Sequence, residues 1–478
     1  MLKGPEKKNR RRKRGKPGLA PSARAVAFEA LLRVEAQGEH ADDLLRAGGM
    51  NALSEQDRDL ATALTMGVLR WQILLDVRVR RYLARPDAKL DLPVRVALRL
   101  GALQLLRMDR IPDHAAIHES VALCRAAGHE HAARMVNAVL RRMAAELREL
   151  PDAASAKNAA ELAERTAHPL WMVERWVSAF GQVQARLLCE YGQRQPECTL
   201  RVADEAAEEE LVLAGCRMES AEVLKAARRV AAGDWRATAA WQSGRVRVQD
   251  EGSQLVAELA GRGERILDCC AAPGGKTMIL AERNPGARVD ACEISEVRAG
   301  AMTARLEAMS ALPCTARISV HCADAVEWIA GRAESAWDLV VMDAPCSGTG
   351  TLGRNPEIRH RLRVEELARQ AERQTALLRA AMRASSRRIV YATCSLEREE
   401  NEDVVEAVLA GQAAWRRISL TGAIDALETD GRVTEMGAAW LRSGLLADGT
   451  LRMRTRDMPG TGLVRTDGFF VAMLERVM

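Results

Sequence analysis

The sequence lacks any uninterrupted apolar run long enough to cross a membrane, which takes about 18 residues. Even a strongly apolar stretch, residues 94–106, contains Arg95 and Arg99. The N-terminal region also lacks the apolar core of a secretory signal, because Arg24 and Glu29 interrupt it. We therefore expect a protein that neither spans a membrane nor carries a secretory signal.

The sequence also lacks the cysteine and histidine spacings of disulfide scaffolds and zinc sites. Its 11 cysteines include no Cys-x-x-Cys pair, and an odd number in a chain of 478 residues indicates reduced thiols and a cytosolic setting. His114 and His118 are four residues apart, but Ala115 stands where the His-Glu-x-x-His motif needs glutamate. The sequence predicts a cytoplasmic protein with no metal site, in which most cysteines are small buried residues.

Composition excludes several classes of protein, since 48% hydrophobic and 28% charged residues are typical of a globular chain and not of collagen or a disordered chain. The length predicts roughly two to four domains. The net charge of +5 is concentrated at the start: residues 1–20 carry nine Lys and Arg against one Glu, so the remainder of the chain sums to −3. A basic disordered arm of this kind favours a polyanionic partner, although a tail that only aids solubility has the same composition.

The spacing of apolar residues changes along the chain. Residues 21–150 repeat them at helical spacing, which predicts an all-helical bundle. Beyond about residue 263, short apolar strands alternate with helix-length segments, which predicts a parallel sheet covered on both faces. The predicted strands are 265–269, 288–292, 318–321, 337–342 and 388–392. The predicted segments are the arm (1–20), the helical bundle (21–150), a linker (151–165), a small α+β subdomain (166–245) and an α/β domain (246–478).

The first predicted strand runs into a turn of small residues, Asp-Cys-Cys-Ala-Ala-Pro-Gly-Gly-Lys-Thr at 268–277. Two glycines at a strand-to-helix turn let a ligand approach the backbone, with the free amides of the helix start facing it. The turn is not a nucleoside-triphosphate P-loop, because Cys270 occupies a position where that motif needs glycine. Glu293 and Asp324 follow the next two strands, where acids contact a ribose and an adenine. This order predicts a nucleotide-like cofactor.

The fourth and fifth predicted strands are each followed by a cysteine. Residues 343–353 are Asp-Ala-Pro-Cys-Ser-Gly-Thr-Gly-Thr-Leu-Gly, and residues 391–395 are Tyr-Ala-Thr-Cys-Ser. Because the carboxyl ends of parallel strands meet at one edge, we expect Cys346 and Cys394 beside the cofactor turn. The Gly-x-Gly-x-x-Gly at 348–353 is weak evidence of a dinucleotide site, since no helix is expected after it. We interpret it as a mobile loop over the site, with Arg354 and Arg359 facing phosphates.

Two thiols, a carboxylate and an adenosyl-type cofactor suit the methylation of cytosine. Carbon 5 of the ring is a poor nucleophile until a thiolate adds at carbon 6 and makes the ring an enamine. A carboxyl group near the ring nitrogen stabilises the adduct, and a base then removes the carbon 5 proton so that the thiol leaves. Asp343 fits the first role, one cysteine the nucleophile, and the other cysteine assists release.

The three motifs, in this order, closely resemble those of the S-adenosylmethionine-dependent RNA cytosine-5 methyltransferases. The helical part resembles the NusB-like domain of the bacterial 16S ribosomal RNA enzymes of the Sun/Fmu (RsmB-like) type. The segments that carry these likenesses are Gly-Val-Leu-Arg at 67–70, Arg-Ile-Pro-Asp-His-Ala-Ala at 110–116, Val-Asn-Ala-Val-Leu-Arg at 136–141, His-Pro-Leu-Trp at 168–171 and the closing strand Asp-Gly-Phe-Phe-Val-Ala at 467–472. The resemblance implies a multi-domain protein: an all-α NusB-like helical bundle, a small α+β subdomain and an α/β Rossmann-like class I methyltransferase domain.

The resemblance also implies residue roles. It makes Cys394 the nucleophile, Cys346 the residue of product release, and Asp343 the acid or hydrogen-bond partner of the ring. It implies S-adenosyl-L-methionine as cofactor, bound by Cys270, Ala271, Ala272, Pro273, Gly274, Gly275, Lys276, Glu293, Asp324 and Asp343. The implied partner is 16S ribosomal RNA or a small-subunit precursor, bound by a monomer. Glu293 departs from the Asp of many relatives, Cys269 replaces a usual Leu, and the basic arm is not a regular family feature.

Two other functions stay open at this point. A non-catalytic RNA-binding protein would rely on the helical domain and should have lost one of Cys394, Cys346 and Asp343, yet all three are present. A cytosine-5 methyltransferase acting on transfer RNA, another RNA or DNA shares the chemistry and differs only in how it docks its substrate.

Overall fold

The computed structural model describes residues 22–46, 50–146, 152–308, 316–458 and 462–477. The predicted arm (1–20) and Cys314 lie outside the described residues. The chain forms two compact units: the first extends to residue 156 and includes 164–167, and the second comprises 157–163 and the residues from 168 onward.

The first unit is a bundle of helices. They are α1 (Ala23–Gln37), α2 (Ala41–Arg46), α3 (Glu55–Tyr82), α4 (Leu92–Arg107), α5 (Asp113–Ala126) and α6 (Glu130–Ala145). Ser22 caps α1 by accepting a hydrogen bond from the Ala25 amide at 3.2 Å. Gly101 of α4 lies so close to α6 that an added Cβ would fall 2.4 Å from a Leu140 methyl carbon. The bundle predicted for residues 21–150 is therefore present, with close packing at its centre.

Helix α3 is, within the described ranges, the helix long and apolar enough to cross a membrane by length and composition alone. Its apolar side chains are in fact used inside the bundle: Leu64, Val68, Leu69 and Leu75 are each at most 3% exposed and belong to one buried cluster. The length of α3 thus serves the core of the bundle.

The second unit starts with helices and a small antiparallel sheet. Its first elements are α7 (Ala159–Arg165), α8 (Leu170–Phe180), α9 (Gln182–Gln193), β1 (Cys198–Val202), α10 (Glu205–Leu213), β2 (Arg217–Ser220), β3 (Ala227–Ala232), α11 (Ala239–Gln242) and β4 (Val246–Val248). The sheet has the order β2-β3-β1-β4. Helix α7 falls in the segment expected to be a linker, and it is ordered by burial of Leu162 and Ala163.

The main sheet and its helices follow. The helices are α12 (Glu251–Leu259), α13 (Gly275–Arg283), α14 (Glu296–Ala308), α15 (Ala325–Ala330), α16 (Ile358–Arg361), α17 (Val364–Ala384), α18 (Glu402–Leu409), α19 (Thr421–Thr429) and α20 (Glu435–Ser443). The strands are β5 (Arg265–Asp268), β6 (Arg288–Glu293), β7 (Arg317–Cys322), β8 (Trp337–Asp343), β9 (Ser385–Thr393), β10 (Trp415–Ile418), β11 (Leu451–Met453), β12 (Arg456–Met458), β13 (Gly462–Val464) and β14 (Phe469–Arg476). All five predicted strands are present, with ends within a few residues of the prediction.

The strand order of the main sheet is β7-β6-β5-β8-β9-β14-β10, with β11 also paired to β14. The five strands β7, β6, β5, β8 and β9 are parallel to one another. Strand β14 is antiparallel to both β9 and β10. Successive residues pack on opposite faces: Val341 joins one buried cluster and Met342 another. The α/β Rossmann-like fold with helices on both faces is confirmed.

This strand order places a crevice at one point of the sheet. The chain leaves β5 toward β6 and β7, then returns on the other side of β5 to form β8. Where the order reverses in this way, ligands bind beyond the carboxyl ends of the strands. The expected site lies where β5 and β8 end.

The small sheet is joined to the main domain by buried charges. Arg201 on β1 is 4% exposed and pairs with Glu258 of α12 and Glu282 of α13, each at 2.9 Å. Glu258 is also buried and accepts a second pair from Arg283. Because charges taken out of water must be paired, these contacts fix the small sheet against the helices of the main domain.

We expect Arg201→Ala to destabilise the second unit by about 3 kcal/mol, because it leaves part of a buried carboxylate charge uncompensated. Urea unfolding followed by tryptophan fluorescence measures this, since eight of the nine tryptophans belong to the second unit. Arg186→Ala, which removes the part-exposed pair with Glu190 on α9, is the control and should change stability by under about 0.5 kcal/mol. Equal effects of the two changes would contradict the prediction.

Candidate active site

Three neighbouring strands end at the crevice. β5 ends at Asp268, β8 at Asp343 and β9 at Thr393, and these strands are adjacent in the order β5-β8-β9. Cys346 follows β8 and Cys394 follows β9. The sheet therefore brings together the three motifs that the sequence analysis singled out.

The turn after β5 is shaped by its backbone. The Ala271 amide donates to the Cys292 carbonyl at 2.9 Å, which ties the turn to β6. Gly274 has φ +97°, a left-handed conformation that costs glycine little. Helix α13 then begins at Gly275 with no side-chain cap. Its first amides are therefore left for a ligand.

Two buried polar residues lie beside this turn. Asp268 accepts a hydrogen bond from the Thr277 hydroxyl at 2.7 Å, and burial raises the pKa of Asp268 to about 6. The amide group of Gln249 lies about 3 Å from the position a Cβ on Gly275 would take. Its Oε1 is buried and has no hydrogen-bond partner in the described part of the chain. Sequence reasoning did not select either residue, although Asp268 opens the first motif.

The two acids predicted to face the cofactor lie at neighbouring strand ends. Glu293 is 5% exposed, and its Oε1 accepts from the Ser295 amide at 2.9 Å. Asp324 follows β7 and caps α15, because its Oδ1 accepts from the Val326 amide at 2.8 Å. The Ala323 amide donates to the Glu293 carbonyl, which holds these two ends together.

Lys276 and Asp343 form an ion pair within the crevice. The Lys276 ammonium lies 2.7 Å from Asp343 and also donates to the Ser253 hydroxyl at 2.7 Å. Burial disfavours its charge, but the negative groups around it, Asp343 first, together outweigh burial, and the pKa of Lys276 is raised. Cys394 also raises the pKa of Lys276, so this ammonium lies within electrostatic reach of that thiol. The lysine of the first motif thus connects the cofactor turn with the carboxylate of the second.

The two predicted cysteines are in contact. The Sγ atoms of Cys346 and Cys394 are 3.3 Å apart, and both residues are only half-buried. The hydrogen bond with Cys394 and burial together raise the pKa of Cys346 well above its usual value. Cys346 is therefore a protonated thiol at neutral pH, placed to donate to Cys394.

A buried carboxylate joins the loops that carry these thiols. Glu400 accepts hydrogen bonds from the Ser347 amide at 2.8 Å, from the Ser347 hydroxyl, and from the Ser395 hydroxyl at 2.5 Å. Gln374 also donates to it, at 3.2 Å. Burial raises the pKa of Glu400. We define Glu400, Ser347 and Ser395 as the Glu400 clamp.

Asn401 strengthens the same region. Its amide group donates to the Ser395 carbonyl at 3.0 Å, and its Oδ1 accepts from the Thr393 hydroxyl at 2.5 Å. The sequence analysis did not single out Glu400 or Asn401. The signal for them was the repeat of Cys-Ser in the second and third motifs, because two buried hydroxyls need a common acceptor.

The prediction that residues 348–353 form a mobile loop with free arginines is wrong. All six residues are buried. The Gly350 amide donates to the Cys394 carbonyl at 2.9 Å, and a Cβ on Gly350 would fall 2.3 Å from the Gly468 carbonyl oxygen. Arg354 pairs with Asp250 and Asp467, each at 2.7 Å, and Arg359 is 2% exposed. Gly350 thus allows close backbone packing, Arg354 forms ion pairs, and Arg359 donates to the carbonyls of Gly192 and Leu352.

One further group of possible metal ligands lies in the first unit. Asp91, His129 and His131 place ligand atoms within 4.8 Å of one another. This group does not include His114 or His118, the spaced pair noted in the sequence. It takes no part in the crevice described above, which belongs to the second unit.

Comparison with known proteins adds the family. A model of the 16S rRNA methyltransferase RsmB/F family matches residues 258–475, and a model of the NusB family matches residues 21–145. A probable ribosomal RNA small subunit methyltransferase B from Bacillus subtilis is 33% identical over 400 residues, covering 81% of this chain and 88% of that relative. This chain belongs to the ribosomal RNA small subunit methyltransferase B family. The resemblance inferred from the motifs is confirmed.

A second relative agrees with this assignment, and solved structures agree with the fold. The ribosomal RNA small subunit methyltransferase B of Pseudomonas putida is 32% identical over 391 residues, covering 78% of this chain and 85% of that protein. The crystal structure of PH0851 has a TM-score of 0.74 at 22% identity and covers 96% of this chain and 100% of that one. A methyltransferase homologue from Pyrococcus horikoshii has a TM-score of 0.51 at 19% identity, over 67% of this chain and 100% of its own. These structures show the fold.

The methyltransferase B family uses S-adenosylmethionine, and the residues of the crevice fit that cofactor. The uncapped start of α13 suits a carboxylate, Glu293 suits ribose hydroxyls, and the unpartnered Oε1 of Gln249 can accept from an ammonium group. A methyl donor bound by these residues would be held at the strand ends that carry the two thiols.

Removing the Glu400 carboxylate should separate the two thiols. With diamide, which takes up two electrons and two protons, we expect the unmodified protein to form a Cys346–Cys394 disulfide. Glu400→Ala should slow this by about tenfold, which corresponds to one or two lost hydrogen bonds. Mass spectrometry of the peptides gives the rate.

Glu402→Ala is the control, because Glu402 is also buried but pairs with Arg452 and does not contact either serine. It should cross-link at the unmodified rate. If Glu400→Ala does so too, the Glu400 clamp does not set the spacing of the thiols.

Proposed function

We propose that the protein transfers a methyl group from S-adenosylmethionine to carbon 5 of a specific cytidine in 16S ribosomal RNA, through a covalent Cys394 adduct. The observation that supports this most is the contact of two thiols, 3.3 Å apart, at the strand ends beside the Lys276–Asp343 pair. Relatives named for the small-subunit ribosomal RNA support the choice of substrate.

The first chemical step is attack by Cys394. Its thiolate forms a bond to carbon 6 of the cytosine, and the electron pair of the 5,6 double bond becomes available at carbon 5. Asp343 and the ammonium of Lys276 lie together beside this thiol and supply the hydrogen bond or proton that the ring nitrogen needs. Bound S-adenosylmethionine supplies an electrophilic methyl group for carbon 5.

Product release falls to Cys346. Removal of the proton from carbon 5 restores the ring double bond and expels the Cys394 sulfur as thiolate. In the free protein, Cys394 is the largest cause of the raised pKa of Cys346. Bonding of the Cys394 sulfur to carbon removes this cause of the raised pKa of Cys346, while burial still raises it. Cys346 lies beside the sulfur of the adduct and, once its own proton has passed to solvent, accepts the proton from carbon 5.

The target base must leave its stack to reach Cys394, because stacked neighbours cover both faces of a base. We propose that the NusB-like unit and the basic arm supply affinity for the RNA more than base recognition. We further propose that the protein is a cytoplasmic monomer and that the substrate is 16S ribosomal RNA or a small-subunit precursor. The division into five segments and the residue roles given above remain part of this proposal.

Exchange of each cysteine tests the assigned roles. Cys394→Ala should abolish methyl transfer while S-adenosylmethionine still binds. Cys346→Ala should slow release by about 10²- to 10⁴-fold, so that protein bound covalently to RNA accumulates on a denaturing gel. Cys198→Ala, a change in the small sheet, should behave as the unmodified protein. Covalent complexes with Cys394→Ala but not with Cys346→Ala would mean that the roles are reversed.

A map of 5-methylcytosine in ribosomal RNA tests the substrate. Cells without the gene should lack this modification at one position of 16S RNA, and the purified protein should restore it with S-adenosylmethionine. Bisulfite sequencing of ribosomal and transfer RNA from both kinds of cell measures it. An unchanged 16S map with a site lost from transfer RNA would overturn the ribosomal assignment.

A further inference from the structure

Three arginines follow one another at alternate positions near the C-terminus. Arg452, Arg454 and Arg456, here called the arginine row, lie on β11, between the strands, and on β12. Residues two apart in extended chain point to the same side. The cations of the arginine row are therefore neighbours.

Carboxylates balance little of this charge. Arg452 pairs with Glu402, and Arg456 donates to the Ser443 hydroxyl at 2.7 Å. Arg454 has no ion pair to any described residue, and its Nε is buried without a hydrogen-bond partner. Burial and the charges of Arg456 and Arg452 lower the pKa of Arg454 to about 10. Positive charge is concentrated here at an energetic cost that an anion would remove.

An aromatic ring holds this cation in place. The guanidinium carbon of Arg454 lies 4.7 Å from the centre of the Phe180 ring, and that of Arg452 lies 5.2 Å from it. Such contacts favour a guanidinium that has lost water. Phe180 thus fixes the direction of Arg454 without neutralising it.

A groove adjoins the arginine row at Arg452. It has a volume of about 550 Å³, and its lining includes Phe180, Arg452 and Leu396. Leu396 is two residues beyond Cys394. Trp171 adds an aromatic side chain to the lining. The acids of this groove include Glu397, which Arg175 neutralises at 2.7 Å.

We propose that the arginine row is a phosphate-binding site for the single RNA strand that leads to the target cytidine. A phosphate accepts well from the fork of a guanidinium, and single-stranded RNA combines charge with apolar and aromatic surface. This inference rests on the proposed function, because it identifies a part of the same substrate that lies outside the reaction centre.

Substitution of Arg454 tests the inference. Arg454→Gln should weaken binding of a labelled single-stranded RNA of mixed sequence by about tenfold at low salt and should lower the slope of log affinity against log salt by about 0.7. Arg454→Lys should keep the unmodified slope, because it keeps the charge. Fluorescence anisotropy at several salt concentrations measures both quantities.

Arg442→Gln is the matched control, since Arg442 lies on α20 and already pairs with Asp425 and Glu428. It should leave affinity and slope unchanged. Binding of S-adenosylmethionine by each variant reports that the second unit is folded. An unchanged slope for a folded Arg454→Gln, or an equal loss for Arg442→Gln, would overturn the phosphate site. The binding measurement needs no methyl transfer, so a failure of the proposed chemistry would be seen separately.

Discussion

The active site depends on the hydrogen bonds that Glu400 accepts from two loops of different origin. One loop follows β8 and the other follows β9, and a shared acceptor for Ser347 and Ser395 keeps the neighbouring sulfurs at 3.3 Å. A buried carboxylate is a costly means of holding loops together. Each hydrogen bond that it fails to form leaves part of its desolvation cost uncompensated. The arrangement is also cooperative, because even a small separation of the two loops breaks several hydrogen bonds at once.

The same principle of mutual dependence governs the charges of the crevice. Lys276 is charged despite burial because Asp343 is beside it, and Cys346 holds its proton because Cys394 is beside it. Each group of the reaction centre thus takes its protonation state from a neighbour that itself changes during the proposed reaction.

Much of the fold followed from the sequence, because alternating strands and helices determine a parallel sheet and therefore which ends meet. The proximity of Cys346 and Cys394 was predictable for that reason. Contacts between residues distant in sequence were not predictable. Arg354 contacts Asp250 and Asp467, each about one hundred residues away in the sequence. From its charge alone, Arg354 was expected to face phosphate. Glycine-rich spacing was equally ambiguous, since close packing at Gly350 and close approach of a ligand both require the absence of a side chain.

The last strand, β14, has a consequence for synthesis of the protein. It lies between β9 and β10, and the residues just before it complete the crevice, because the Gly468 amide donates to the Gly350 carbonyl and Asp467 pairs with Arg354. A nascent chain cannot assemble this crevice until β14 has left the ribosome. Premature termination at any codon before this strand would therefore leave the crevice without the residues that close it.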